Sequence, residues 1–140
     1  MPIIKFDYIP YPYLQAKNKL VAVYRPVIQI TISANHKVYP NTISCLVDSG
    51  ADFNLFPATI GESLGLKIKT GEKVTHMGIA NVGIAAYKHP VKIYIKEYSF
   101  KTDIDFSYDH KIPILGRHGF FDHFQSIKSN EKLLRLELTY

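Results

Sequence analysis

The stretch Ser44-Cys45-Leu46-Val47-Asp48-Ser49-Gly50-Ala51-Asp52-Phe53-Asn54-Leu55-Phe56-Pro57 carries a carboxylate where a carboxylate is costly. Asp48 ends an apolar run that reads as a buried strand and leads straight into a tight Ser-Gly turn, so its charge risks desolvation. Two explanations fit. Asp48 caps the turn by accepting backbone N–H groups, or it is held there for acid–base chemistry. A second element answers the first: Ile112-Pro113-Ile114-Leu115-Gly116-Arg117 is another apolar strand ending in Gly, followed by the short amphipathic stretch Gly119-Phe120-Phe121-Asp122-His123-Phe124. His118 and His123 invite a metal reading, but an offset of five residues puts them about 140° apart on a helix, unlike the four-residue spacing of helical zinc motifs. The other histidines, His36, His76, His89 and His110, are scattered through turns and strands. Neither a metal nor a cofactor is expected.

The elements that must position these residues are mostly strands. From Pro26 the pattern alternates, with Ile28, Ile30 and Ile32 on one face and Gln29, Thr31 and Ser33 on the other, as a half-buried strand requires. Asn35-His36-Lys37 reads as a polar turn, and the next strand runs through Ile43, Cys45 and Val47 to Asp48. Pro57 suits a first helical position, Ile60 and Leu64 lie four apart and Gly65 suits a stop, so residues 57–64 read as a short helix. Residues 91–106 read as a hairpin turning at Glu97-Tyr98-Ser99, with Val91, Ile93 and Ile95, then Phe100, Ile104 and Phe106, on the apolar face. Residues 124–128 and 133–140 read as two more strands around Ser129-Asn130-Glu131, with Leu134, Leu136 and Leu138 sharing a face. The Tyr-Pro repeats at Tyr8 to Tyr13 predict an extended segment, followed by a polar turn at Gln15 to Lys19. The expected organisation is an N-terminal extended segment, residues 1–24, packed on one domain, residues 25–140.

Composition narrows the function classes. The chain has 140 residues, enough for one domain that buries roughly 68–70% of its unfolded surface. Hydrophobic residues make up 46% and charged residues 21%, and no apolar run approaches the ~18 residues of a membrane span. No basic start followed by an apolar signal core opens the sequence, so a cytoplasmic location is the expectation. Cys45 is the only cysteine, which excludes an intramolecular disulfide, and its alternation with Ile43 and Val47 makes it a core residue. The net charge of +5 is spread as single Lys and Arg residues without a basic run, and the ten Tyr and eight Phe fall at strand spacing, which argues against nucleic acid as a partner.

Taken in order, these motifs resemble the retropepsin-like aspartic proteases, the single-lobe family that includes the retroviral enzymes. The residues carrying the resemblance are Leu46-Val47-Asp48-Ser49-Gly50-Ala51, Ile114-Leu115-Gly116-Arg117 and Arg25-Pro26 at the start of the first long strand, with Asp52 where the retroviral enzymes carry a second acid. The resemblance implies an all-β fold, a closed or nearly closed barrel of six to eight strands with one or two short helices. It implies that Asp48 is catalytic, that Ser49 hydrogen-bonds across a dimer axis and that Gly50 lets the backbone approach closely. A hairpin covering the substrate is implied at Thr75 to Ala85, with Met77, Gly78, Ile79, Ala80, Asn81, Val82 and Gly83 at its tip and Ala51 and Asp52 beside the bound peptide. Arg117 is expected to pair with Asp52 of its own chain, with Arg25 of the partner reaching the same cluster, and Ile114, Leu115 and Gly116 support the site.

Hydrolysis of a peptide bond by water needs one carboxylate as base and a protonated neighbour as acid. The sequence holds one Asp-Ser-Gly motif, so a complete site requires two chains about a twofold axis. The expectation is a homodimeric aspartic endopeptidase acting on peptides, without membrane or nucleic-acid partners. A non-catalytic peptide-binding module on the same fold is the alternative, and a basic barrel that binds nucleic acid is a third reading, recognisable by steep salt dependence.

Overall fold

The computed structural model describes residues 1–78 and 80–140; Ile79 lies outside the described residues. In chain order the strands are β1 (Ile3–Asp7), β2 (Ile9–Gln15), β3 (Lys19–Arg25), β4 (Val27–Ala34), β5 (Lys37–Val38), β6 (Ile43–Val47) and β7 (Leu55–Pro57). Helix α1 (Ala58–Ser63) follows, and then β8 (Glu72–Met77), β9 (Gly83–Ile95), β10 (Tyr98–Ser107), β11 (Ile114–Leu115), β12 (Ser126–Asn130) and β13 (Arg135–Thr139).

The alternation in β4 does what period two dictates: Ile28, Ile30 and Ile32 are buried while Gln29 is exposed. Asn35 and His36 both take positive φ, 50° and 62°, in the two-residue turn that pairs Ala34 with Lys37; turns of this hand match the twist of the strands they join. Strands β4, β6, β11, β7, β10 and β9 follow one another in the large sheet, and a further β4–β9 pairing, Ile32 opposite Ile93, closes them into a six-stranded barrel. Closure removes the edges that an open sheet would expose. Cys45, Phe56, Ile95, Ile104, Phe106 and Leu115 fill the interior with no measurable exposure; a fully buried side chain of this size contributes about 1.5–3 kcal/mol. Helix α1 seals one side, and Gly61 lies so close to Ile68 and Phe106 that a Cβ would sit 2.6 Å from Ile68 Cδ1. Gly65, at φ +78°, follows the helix, as the sequence predicts.

A smaller sheet, in the order β1-β13-β12, joins the two ends of the chain, with Ile4, Tyr8, Leu136 and Leu138 facing the core. Strands β2 and β3 form a separate two-stranded ribbon.

Four boundaries differ from the sequence expectation. Ser129 and Asn130, expected in a turn, belong to β12, where they pair with Leu136 and Arg135. The β9–β10 turn falls at Lys96-Glu97, because Tyr98 already pairs with Ile95 and stacks on Tyr140 with ring centroids 4.1 Å apart. Strand β9 begins at Gly83, well before Val91, because its first half pairs with β8 and its second half with β4, while β10 covers most of its length. Leu134 belongs to the turn before β13, at φ +50°, where its carbonyl accepts the Tyr8 N–H at 2.8 Å, so only Leu136 and Leu138 share the buried face.

Candidate active site

Asp48 stands at the C-terminal end of β6, and the strand beside it fixes its height. Strand β11 lies parallel to β6, pairing Ile114 with Leu46 and Leu115 with Val47, and the Asp48 N–H donates to Leu115 O at 3.0 Å. On the other side of β6 the Val47 N–H donates to Pro26 O at 2.9 Å. The chain then turns sharply. The Gly50 N–H donates to Asp48 Oδ1 at 2.8 Å and the Ala51 N–H to Asp48 O at 3.1 Å, so the carboxylate is oriented by its own loop. A Cβ on Gly50 would lie 3.2 Å from that same Oδ1. Asp48 is half-buried, and Ser49, Gly50, Asp52 and Phe53 are exposed. The turn-cap and acid–base readings are therefore compatible: one oxygen takes the backbone bond and the carboxylate still reaches the surface.

The loop after Asp48 is tied to the segment after β11. The Arg117 N–H donates to Ala51 O at 2.9 Å and the His118 N–H to Asp52 O at 2.7 Å, while Phe53 bridges to His118. Gly116 is where the two segments cross. A Cβ there would sit 2.5 Å from Phe53 O and 2.8 Å from Phe53 N, distances no side chain can occupy without parting the backbones. The two motifs, distant in sequence, thus form one cross-braced unit. Arg117 and Asp52 meet only through backbone atoms, and among the described residues no ion pair joins their side chains; both are exposed, where an ion pair contributes little against the entropy of holding it. Arg25 sits at the end of β3 with its guanidinium 5.4 Å from the centre of the Tyr11 ring.

Two positioning elements escape a reading of the sequence. Asn54, 1% exposed, accepts the Gly116 N–H on Oδ1 at 3.0 Å and donates from Nδ2 to Asp103 O at 3.0 Å, locking the crossing to β10. Its only signal is a polar residue inside an apolar run. The second element is His76, whose Nε2 lies 2.7 Å from Asp105 Oδ2 on β10, with Asp105 buried. Phe53 packs edge-on against the His76 ring, centroids 6.1 Å apart, and Lys88 Nζ lies 5.7 Å from the centre of the Phe53 ring. The Asp48 loop is thereby in contact with β8, one arm of the expected covering hairpin.

That hairpin is formed by β8 and β9, with Thr75 opposite Ala85 and Met77 opposite Gly83. The Gly78 N–H donates to Val82 O at 3.0 Å across the tip, and Ala80 and Asn81 take φ +65° and +58°. Met77 and Val82 are 62% and 63% exposed, so the tip offers apolar side chains to solvent; the expected tip residue Ile79 lies outside the described residues. Asp48 lines neither of two clefts near its loop, one bounded by Phe53, Lys88, Asp103 and His118, the other by Pro57, Ser107 and His110. The residues of the metal reading are occupied otherwise: the His123 ring stacks on Phe100 at 4.2 Å, and among the described residues no three His, Cys, Asp or Glu side chains gather as metal ligands would. Among the described residues no helix is long and apolar enough to cross a membrane.

No protein-family model matches the sequence, and no curated protein matches it either. Solved structures do. A retropepsin-like aspartic protease from Rickettsia conorii aligns over 99% of this chain and 92% of its own, at 15% identity and a TM-score of 0.65. The EIAV protease in complex with the inhibitor HBY-793 aligns over 66% of this chain and 82% of its own, at 25% identity and a TM-score of 0.48. With its closed six-stranded barrel and the near-complete alignment to the rickettsial enzyme, the chain has the fold of a retropepsin-like aspartic protease.

Proposed function

We infer that the chain is an aspartic endopeptidase that works as a homodimer, with one Asp48 from each copy. The observation that carries this is Asp48 itself: a carboxylate oriented by Gly50, braced from behind by the Gly116 crossing and directed to an accessible surface. A structural cap has no need of that access. Two such carboxylates at close range repel each other as like charges, and a site with one of them protonated supplies both an acid and a base. A water between them gives its proton to the ionised carboxylate while the protonated one donates to the peptide carbonyl, and no covalent intermediate is needed. The fold shared with the rickettsial protease supports the assignment. In this reading the β8–β9 hairpin closes over the bound peptide through Met77 and Val82, and Ser49, Ala51 and Asp52 border it.

The test is cleavage of a diverse peptide library at acidic and neutral pH, with and without a statine-type inhibitor. Asp48→Asn should abolish cleavage and leave folding intact, since it keeps the acceptor for the Gly50 N–H. When wild-type and Asp48→Asn chains are mixed equally and fully exchanged, random pairing should leave about a quarter of the wild-type activity. Peptide binding without cleavage would identify a binding module on this fold, and a linear mixing curve would mean that each chain works alone.

A further inference from the structure

The ribbon of residues 9–25 has no role in the body of the chain. No residue in it belongs to the hydrophobic core among the described residues, and its side chains are largely exposed and apolar: Tyr13 54%, Leu14 60%, Leu20 70%, Tyr24 47%. Both faces are alike in this. One carries Tyr11, Tyr13, Val21 and Val23; the other carries Pro10, Pro12, Leu14, Leu20, Ala22 and Tyr24. A lone two-stranded hairpin is marginal in water, and a contiguous apolar surface of this kind marks an interaction site.

The prolines say which edge is available. Pro10 and Pro12 face Tyr24 and Ala22 in the ribbon. Because proline has no N–H to give, these are the pairs whose backbone groups point away from the partner strand. The outer edge of β2 therefore lacks two donors and resists strand addition. By the same register the outward N–H groups of β3 are those of Leu20, Ala22 and Tyr24, and no proline interrupts them. The root of the ribbon lies beside the candidate site: Pro26, next after β3, accepts the N–H of Val47, the residue before Asp48.

We propose that residues 9–25 are a dimerisation arm whose open β3 edge pairs antiparallel with the same edge of a second copy of this chain. Two ribbons then become a four-stranded sheet, enough strands for stability, in which Leu20, Ala22 and Tyr24 of one copy pack beside the same strand of the other on one face and Val21 and Val23 do so on the opposite face. A strand pairing antiparallel with its own copy obeys a twofold axis, the symmetry that two Asp48 carboxylates require. The choice of partner rests on the two-chain site proposed above. The arm itself stands on the exposed faces and the proline-blocked opposite edge.

Two variants test it. Ala22→Pro removes one outward N–H from the β3 edge and none from within the ribbon. Replacing residues 10–24 by Asn-Gly deletes the arm while keeping Ile9 and Arg25, which are paired neighbours. Dimer affinity by sedimentation velocity should weaken at least tenfold in both, with circular dichroism and unfolding midpoint of Ala22→Pro unchanged at concentrations where both proteins are monomeric. A dimer as tight as wild type in both variants would overturn the arm and leave the two-chain site standing. Wild type monomeric at 100 μM would overturn the arm as well. In that case, concentration-independent cleavage that is lost in Asp48→Asn would mean a one-chain protease, so the two failures are distinguishable.

Discussion

Asn54→Leu keeps the number and branching of the side-chain heavy atoms but removes the amide that ties together three segments of the site. In the wild type the amide satisfies the Gly116 N–H and the Asp103 carbonyl, each at 3.0 Å, in a position that is 1% exposed. Leucine can satisfy neither. A buried polar group left without a partner costs about 1–3 kcal/mol, so two of them give a loss of about 2–6 kcal/mol. Against a typical domain stability of about 5–15 kcal/mol this is a large share. At about 3–4 °C per kcal/mol for a chain of this length, it corresponds to a fall in Tm of about 6–24 °C. Urea unfolding followed by circular dichroism measures it, and the slope m should stay constant because the surface exposed on unfolding barely changes. Asn54→Asp sharpens the test. It keeps an acceptor for Gly116 but sets a second acceptor against the Asp103 carbonyl, unless the new carboxyl is protonated and donates. That requirement raises its pKa in the folded protein above the unfolded value of about 3.9. The stabilising bond is then present below about pH 4 and lost as pH rises through the folded pKa. Asn54→Asp should lie nearest to wild type in acid and farthest at neutral pH. A change within about 0.5 kcal/mol for Asn54→Leu, the range of an ordinary surface substitution, would refute the bracing role.

Two further predictions concern groups whose ionisation the fold alters. Burial pushes the His110 pKa down from 6.5 and the nearby His76 lowers it further, against a hydrogen bond to Ile112 O that raises it. The folded protein therefore favours neutral His110. Its contribution is complete above about pH 6.5 and is lost as pH falls through the lowered folded pKa. Wild type should lose more stability between pH 7 and pH 5 than His110→Gln; parallel curves from urea titrations would contradict this. Cys45 has no measurable exposure, and burial pushes its thiol well above the ordinary range. Dithionitrobenzoate should label it only as fast as the protein opens, in step with denaturant-induced unfolding, and rapid labelling of native protein at pH 8 would refute its place in the barrel.

What the sequence by itself determined is what local periodicity and turn chemistry encode. The alternation of Ile28, Ile30 and Ile32 defined β4, Pro57 and Gly65 bounded α1, and the apolar runs ending at Asp48 and Gly116 marked the two strands that lie side by side. These signals involve residues a few positions apart, and burial of one face leaves them little choice. Tertiary structure decided everything that depends on partners far away. Asn54 finds its partners 62 and 49 residues along the chain, and nothing in its neighbours distinguishes it from a turn residue. His76 meets Asp105 because β8 and β10 both lie against β9. Tyr98 was taken from a turn into a strand by the ring of Tyr140, and Leu134 from a strand into a turn whose carbonyl binds Tyr8. The expected Asp52–Arg117 pair gave way to backbone bonds between the same segments, because two solvated side chains gain little by meeting while the backbone groups at a close crossing must be satisfied.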